Sequence, residues 1–219
     1  MVVDLLLPLR CAVCARVGAA LCEACRAVLV RIAPPLCARC GAPGAWPVLR
    51  CAECAGRRLA FASARAAVVY DETARKLVSA WKERGQRRLA GEAATLVADT
   101  VARPEVVAVA FVPADAERTL TRGHRPAEAL ARALGVLWEL PVEPLVRRVR
   151  SVERQRGLGL TERRRNVAGV FAPARGSPPA VCLVDDVYTS GATTAAAASA
   201  LRKGGARRVH VVTFARAVR

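Results

Sequence analysis

V-C-L-V-D-D-V-Y-T-S-G-A-T-T, Val181–Thr194, is the stretch on which the reading of this chain turns. The apolar run Val181–Val184 predicts a buried strand. Asp185 and Asp186 follow it. A loop of small and hydroxyl-bearing residues then leads into Ala192–Lys203, an alanine-rich helix stopped by Gly204 and Gly205. Each part has a chemical use. The strand sets both carboxylates at the carboxyl edge of a parallel sheet, where α/β folds bind ligands. Loop amides, hydroxyls and the positive end of the helix suit a phosphate. Gly191 lets the backbone come close to it. Two adjacent carboxylates would repel that phosphate unless they hold ribose hydroxyls or a bridging Mg²⁺. The plainer alternative is an ordinary strand–loop–helix crossover with a polar turn.

Working outward, Thr73–Arg84 and Arg88–Ala102 have helical periodicity, and Val106–Val112 is a β-branched, apolar strand. Arg125–Leu134 predicts a helix with Gly135 as its C-cap. Pro144–Val149 suits a short strand, Leu160–Asn166 a partly helical charged segment, and Gly176–Pro179 an exposed turn. Val209–Phe214 is a last strand. Strand, helix and strand in this order imply parallel pairing and an α/β fold.

The N-terminal quarter has a different character. Eight of the nine cysteines form four C-x-x-C pairs: Cys11/Cys14, Cys22/Cys25, Cys37/Cys40 and Cys51/Cys54. Two such knuckles complete a tetrahedral four-sulfur shell for zinc. Seven residues separate the first two pairs and ten the last two. Sequential pairing gives two ribbons, and spacing alone also allows interleaved pairing. A closed shell implies a structural rather than a catalytic ion. An iron–sulfur or redox-dithiol site is the alternative. Metal would supply the stability that so small an apolar content cannot. The composition shifts near Arg57–Phe61, which divides the chain into a zinc module over 1–57 and an α/β domain over 58–219. The ninth cysteine, Cys182, sits in the apolar run and reads as a core thiol.

Further candidates surround the loop. Arg118, Arg122 and Arg125 lie in or beside T-R-G-H-R-P, Thr121–Pro126, and guanidinium forks match pyrophosphate oxygens. His124 is a candidate proton carrier and Lys82 a candidate phosphate ligand or helix-end charge. Arg147–Phe171 suits a lid over a hydrolysis-sensitive substrate, or a surface loop.

The formal net charge is +17, which points to an acidic partner or to a bias towards arginine across the chain. Aromatic residues make up only 4%, against an extensive base-stacking platform. No apolar run reaches the ~18 residues of a membrane span, and Met1–Leu9 lacks the features of a signal peptide. A cytoplasmic location without membrane insertion is expected.

The segment L-V-D-D-V-Y-T-S-G-A-T resembles the phosphoribosyl pyrophosphate (PRPP) motif of type I phosphoribosyltransferases. With the C-x-x-C series, W-K-E-R-G at Trp81–Gly85, R-G-H-R-P-A-E at Arg122–Glu128, R-S-V-E-R-Q at Arg150–Gln155 and L-T-E-R-R-R-N-V at Leu160–Val167, nearly the whole chain is similar to the ComF family. R-G-H-R-P departs from the family's usual R-G-F-N-Q. The resemblance implies a type I phosphoribosyltransferase fold with a double zinc ribbon, two structural zinc ions, and PRPP bound with Mg²⁺. It implies that Asp185 and Asp186 engage the ribose hydroxyls, and that Thr189, Ser190, Gly191, Ala192 and Thr193 hold the 5-phosphate. It also implies a role in natural transformation, handling incoming single-stranded DNA beside a helicase. Three functions compete: phosphoribosyl transfer, a non-catalytic DNA-binding adaptor, and a PRPP sensor.

Overall fold

The computed structural model describes residues 8–115, 123–150, 167 and 169–218. Its centre is a four-stranded, all-parallel sheet in the order β1 (Ser63–Val69), β6 (Arg208–Arg216), β5 (Ala180–Tyr188), β2 (Ala108–Phe111). A separate antiparallel pair joins β3 (Val146–Arg148) to β4 (Phe171–Pro173). The helices are α1 (Glu23–Ala27), α2 (Glu72–Lys82), α3 (Leu89–Thr100), α4 (Pro126–Trp138) and α5 (Ala192–Lys203). The expected α/β class with a parallel sheet is therefore what the chain adopts. Among the described residues no helix is long and apolar enough to cross a membrane.

Alternation along the central strands divides the core in two. Cys182 and Val184 of β5, with Val212 and Phe214 of β6, face one cluster, shared with α2, α3 and α4. Val181 and Leu183, with Val209 and Val211, face the other, shared with α5 and the β3–β4 pair. The two ribbons divide in the same way. Cys11 and Cys25 pack into the first cluster, and Cys37, Cys40 and Cys54 into the second. The chain between them passes along the outer edge of β1, where Ile32 N–H donates to the Ala67 carbonyl (2.9 Å) and Val69 N–H to the Val30 carbonyl (2.8 Å). This covers an edge that would otherwise present unpaired backbone groups.

Helix α2 starts where Asp71 accepts a hydrogen bond from the Ala74 amide (2.9 Å), and it buries Ala74, Leu77, Val78 and Trp81 at helical spacing. Helix α4 starts with Pro126 in its first turn and buries Ala127, Leu130, Ala131, Leu134 and Trp138. Gly135 is not its C-cap, as the sequence suggested. The helix runs on to Trp138, and Glu139 takes the left-handed cap conformation (φ 54°). Gly135 answers a packing need instead: a Cβ there would fall on Val142 Cγ2 and lie 2.9 Å from the Leu140 carbonyl oxygen. Gly135→Ala is expected to cost roughly 1–3 kcal/mol in chemical denaturation, although alanine is the better helix former.

Three strands also differ from expectation. Strand β1, S-A-R-A-A-V-V, escaped notice because alanine is a weak strand former. Strand β5 does not stop at Val184 but continues through Tyr188, because β6 pairs with it as far as Tyr188↔Arg216. The partner on its other side, β2, ends at Phe111↔Val184. Asp185 and the residues after it thus extend past the end of β2. The predicted strand Val106–Val112 is shortened to β2, whereas the helix Ala192–Lys203 forms as expected with Gly204 as its C-cap. Cys182 is fully buried, and burial pushes its thiol pKa up, as suits an inert core residue. The segment Leu160–Asn166 lies outside the described residues.

Candidate metal centres and phosphate loop

The cysteines pair sequentially. Cys11, Cys14, Cys22 and Cys25 form one tetrad, and Cys37, Cys40, Cys51 and Cys54 the other, with the sulfurs of each within 4.8 Å of one another. A tetrahedral ion with zinc–sulfur bonds of about 2.3 Å requires sulfurs about 3.8 Å apart. The tetrads match: Cys14–Cys22 is 3.7 Å, Cys37–Cys54 3.6 Å, Cys40–Cys51 3.4 Å and Cys51–Cys54 3.9 Å.

The electrostatics ask for a cation too. Burial resists ionisation of Cys11 and Cys37, but backbone amides from both knuckles of each tetrad outweigh it and bring both thiols down to about 6. The Cys51 amide, for example, donates to Cys37 Sγ at 3.3 Å. Burial and the neighbouring sulfurs push Cys25 up to about 12, and burial raises Cys40 and Cys54. Four clustered thiols therefore cannot all ionise unless a metal supplies the counter-charge. The donor sets are those of two structural zinc ions. The two sites differ in exposure: Cys14 is exposed, whereas Cys37, Cys40 and Cys54 are buried.

The acidic pair lies on the stretch of β5 beyond the end of β2. Asp186 is 8% exposed, and its Oδ1 pairs with Lys82 Nζ at 2.6 Å. Lys82, weighed from sequence as a phosphate ligand or a helix-end charge, is thus a partner of the acidic pair. The Asp186 amide donates to Asp185 Oδ1 (2.9 Å). Burial, and then the charge of Asp186, raise the Asp185 carboxyl to about 7, opposed by Lys82 and Arg148. Arg148 also approaches Asp115 (3.8 Å) and lies over the Phe171 ring. Sequence reasoning missed the Asp115–Arg148 pair because its partners come from segments far apart in the chain.

The loop turns through Gly191 at φ 70°, a conformation that favours glycine. A Cβ there would fall on the Tyr188 ring, so close packing excludes a side chain as well. Ser190 is buried, and its Oγ accepts a hydrogen bond from the Ala192 amide (3.3 Å). Thr194 Oγ1 donates to the Gly191 carbonyl (3.2 Å). Thr189 is exposed and Thr193 half-buried, both within the loop and first turn of α5. Gly191 itself has no side chain to cap the helix amides.

The described part of the R-G-H-R-P stretch meets the end of α2 and the residues just after it through Gly123 and His124. His124 Nε2 lies 2.6 Å from the Trp81 carbonyl, and Arg87 donates to the Gly123 carbonyl (2.6 Å). Arg125 pairs with Glu128 (3.3 Å) at the start of α4, so its contacts are local. Arg118 and Arg122 lie outside the described residues, as does most of the expected lid.

The double zinc ribbon domain family matches residues 2–56. Competence protein F of Haemophilus influenzae is 35% identical over 115 residues, which span 50% of this chain and 50% of that relative. DNA utilization protein YhgH of Salmonella typhi is 30% identical over 206 residues, covering 87% of this chain and 88% of that one. The same protein of Salmonella typhimurium matches equally. Among solved structures, TT1426 from Thermus thermophilus overlaps 61% of this chain and 83% of its own at 21% identity, with a TM-score of 0.32, too loose a likeness to argue from. Nearly full-length similarity to the Salmonella proteins, together with the ribbon match over both tetrads, makes this chain a member of the ComF family.

Proposed function

We propose that this chain binds PRPP with Mg²⁺ at the carboxyl end of β5 and serves DNA uptake in natural transformation. The observation that carries the first part is the continuous arrangement of Asp185, Asp186 and a glycine-turned hydroxyl loop at the start of α5. Thr189, Ser190, Gly191, Ala192 and Thr193 cradle the 5-phosphate with amides and hydroxyls, aided by the helix end. Asp185 and Asp186 take the ribose hydroxyls. Mg²⁺, when bound with PRPP, neutralises pyrophosphate oxygens. Lys82, already beside Asp186, supplies a cation on the same side. Arg118, Arg122 and Arg125 are the proposed pyrophosphate contacts. This chemistry belongs to the proposed C-terminal domain, 58–219, with the zinc module over 1–57 beside it.

The names of the relatives, a competence protein and a DNA utilization protein, support the role in DNA uptake. A net charge of +17 supports a second reading, an adaptor that binds single-stranded DNA beside a helicase without turnover. The test is calorimetric titration of Mg²⁺ and PRPP into the wild type and the Asp185→Ala/Asp186→Ala variant. Saturable binding that weakens at least ~100-fold in the variant is the expected result. Absence of binding to folded, zinc-loaded wild type overturns the PRPP reading. DNA binding with a steep salt slope and no response to PRPP would then leave the adaptor.

A further inference from the structure

The second ribbon reaches the phosphate loop through two arginines. Arg57 follows the last cysteine knuckle, and its Nη2 donates to the Ser190 carbonyl at 2.7 Å, while its Nη1 donates to the Glu53 carbonyl at 3.3 Å. Arg216, at the end of β6, is 1% exposed. Its Nη1 donates to the Cys40 carbonyl (2.7 Å), and its Nη2 reaches both Glu53 Oε2 (2.6 Å) and Cys40 Sγ (3.8 Å). Its guanidinium lies over the Tyr188 ring, 4.6 Å from the centroid.

Tyr188 is in turn the floor of the loop. It is 3% exposed, its ring meets Phe61 edge-on, and it occupies the space where a side chain on residue 191 would stand. Its hydroxyl is buried with no hydrogen-bond partner among the described residues. A buried guanidinium needs nearby negative charge. Glu53 supplies one carboxylate, and a zinc ion with four thiolates carries two negative charges beside it. Loss of that centre leaves Arg216 with less compensation and frees the Cys40 and Glu53 segments that the two arginines grip.

The first ribbon is wired elsewhere. Arg26 pairs with Glu92 of α3, and Arg31 donates to Leu96 and Thr100 of the same helix.

We propose that the second tetrad sets the shape of the phosphate loop, with Arg57 and Arg216 as positioning residues that hold Ser190 and Tyr188 only while that tetrad is loaded. The coupling itself is independent of the ligand. What the loop binds rests on the PRPP reading above.

The test uses the full, zinc-loaded chain and two readouts: hydrogen exchange over residues 188–195, and calorimetric titration with Mg²⁺ and PRPP. Arg57→Ala is expected to keep both zinc ions, raise exchange in that segment, and weaken PRPP roughly tenfold, the size of one lost charge-assisted hydrogen bond. Arg57→Lys, which still carries a donor, should recover part of both effects. Arg26→Ala, beside the first tetrad, should change neither. Graded chelation should remove the exposed first zinc without raising exchange in 188–195, and removal of the second should raise it. Wild-type exchange in Arg57→Ala, or in protein stripped of the second zinc, overturns the proposal. If the wild type binds no PRPP, the exchange readout still decides the coupling, and only the ligand assignment falls.

Discussion

Cys54→Ser is expected to release one of the two zinc ions and to destabilise the chain by on the order of 5 kcal/mol or more, because metal affinity is folding free energy in so small a module. Cys54 is 0% exposed and packs in the cluster that contains Leu183, Val209 and Val211. Its zinc shell therefore also closes one face of the sheet core. Cys14→Ser at the exposed corner of the first tetrad should also release one ion, with a smaller loss, since the exposed position can hydrate. Zinc content by a chromogenic chelator and denaturant midpoints check both. Equal losses for the two variants would show that burial of the second tetrad adds nothing to its stabilising effect.

Asp185→Asn is expected to do two opposite things: stabilise the ligand-free protein at neutral pH and weaken the proposed PRPP binding. Burial and the charge of Asp186 raise the Asp185 carboxyl from 3.8 to about 7. The sign follows from linkage. A carboxyl whose folded pKa lies above its unfolded value binds its proton more tightly when folded, so stability falls as pH rises from the lower value to the higher. Asparagine does not ionise, and its side-chain oxygen can still accept the Asp186 amide. The difference in melting temperature between variant and wild type should therefore vanish below about pH 4, open across pH 4–7, and stay constant above it. A pH-independent difference would assign the effect to packing rather than charge. A stability cost of this kind is common at ligand sites, as the proposed function requires here.

The parts of the site legible in the sequence were those whose chemistry is local. Cysteines two residues apart reach one ion from a single knuckle turn, and D-D-V-Y-T-S-G-A-T carries strand, acids, loop and helix start within one stretch. What escaped was chemistry assembled across the chain. Arg57 falls at the change of composition that marks the module boundary, and Arg216 lies beyond the predicted strand Val209–Phe214. Only the fold shows that one grips Ser190 and the other lies between Cys40, Glu53 and Tyr188. The pairing of tetrads was open for a related reason. Spacing limits what a loop can reach, but the passage of residues 30–32 along the edge of β1 is what sends the two ribbons to opposite faces. Gly135 misled because a glycine near a helix end usually marks the cap, whereas here close approach of Leu140 and Val142 requires it.

The contact between Arg216 and Cys40 spans 176 positions of sequence. During synthesis the ribbons emerge first and can take up metal by themselves, since each tetrad is built from neighbouring cysteines. Yet the faces they settle on are completed by β5 and β6, which emerge well after them. The second ribbon, whose Cys40 and Glu53 are gripped by Arg216 and whose Arg57 grips Ser190, therefore completes its docking only after those residues emerge. Such long-range closure slows folding and lengthens the time for which apolar surface is exposed. A metal-loaded second ribbon not yet attached is then the expected early species on the folding pathway, and β6 is the strand that seats it.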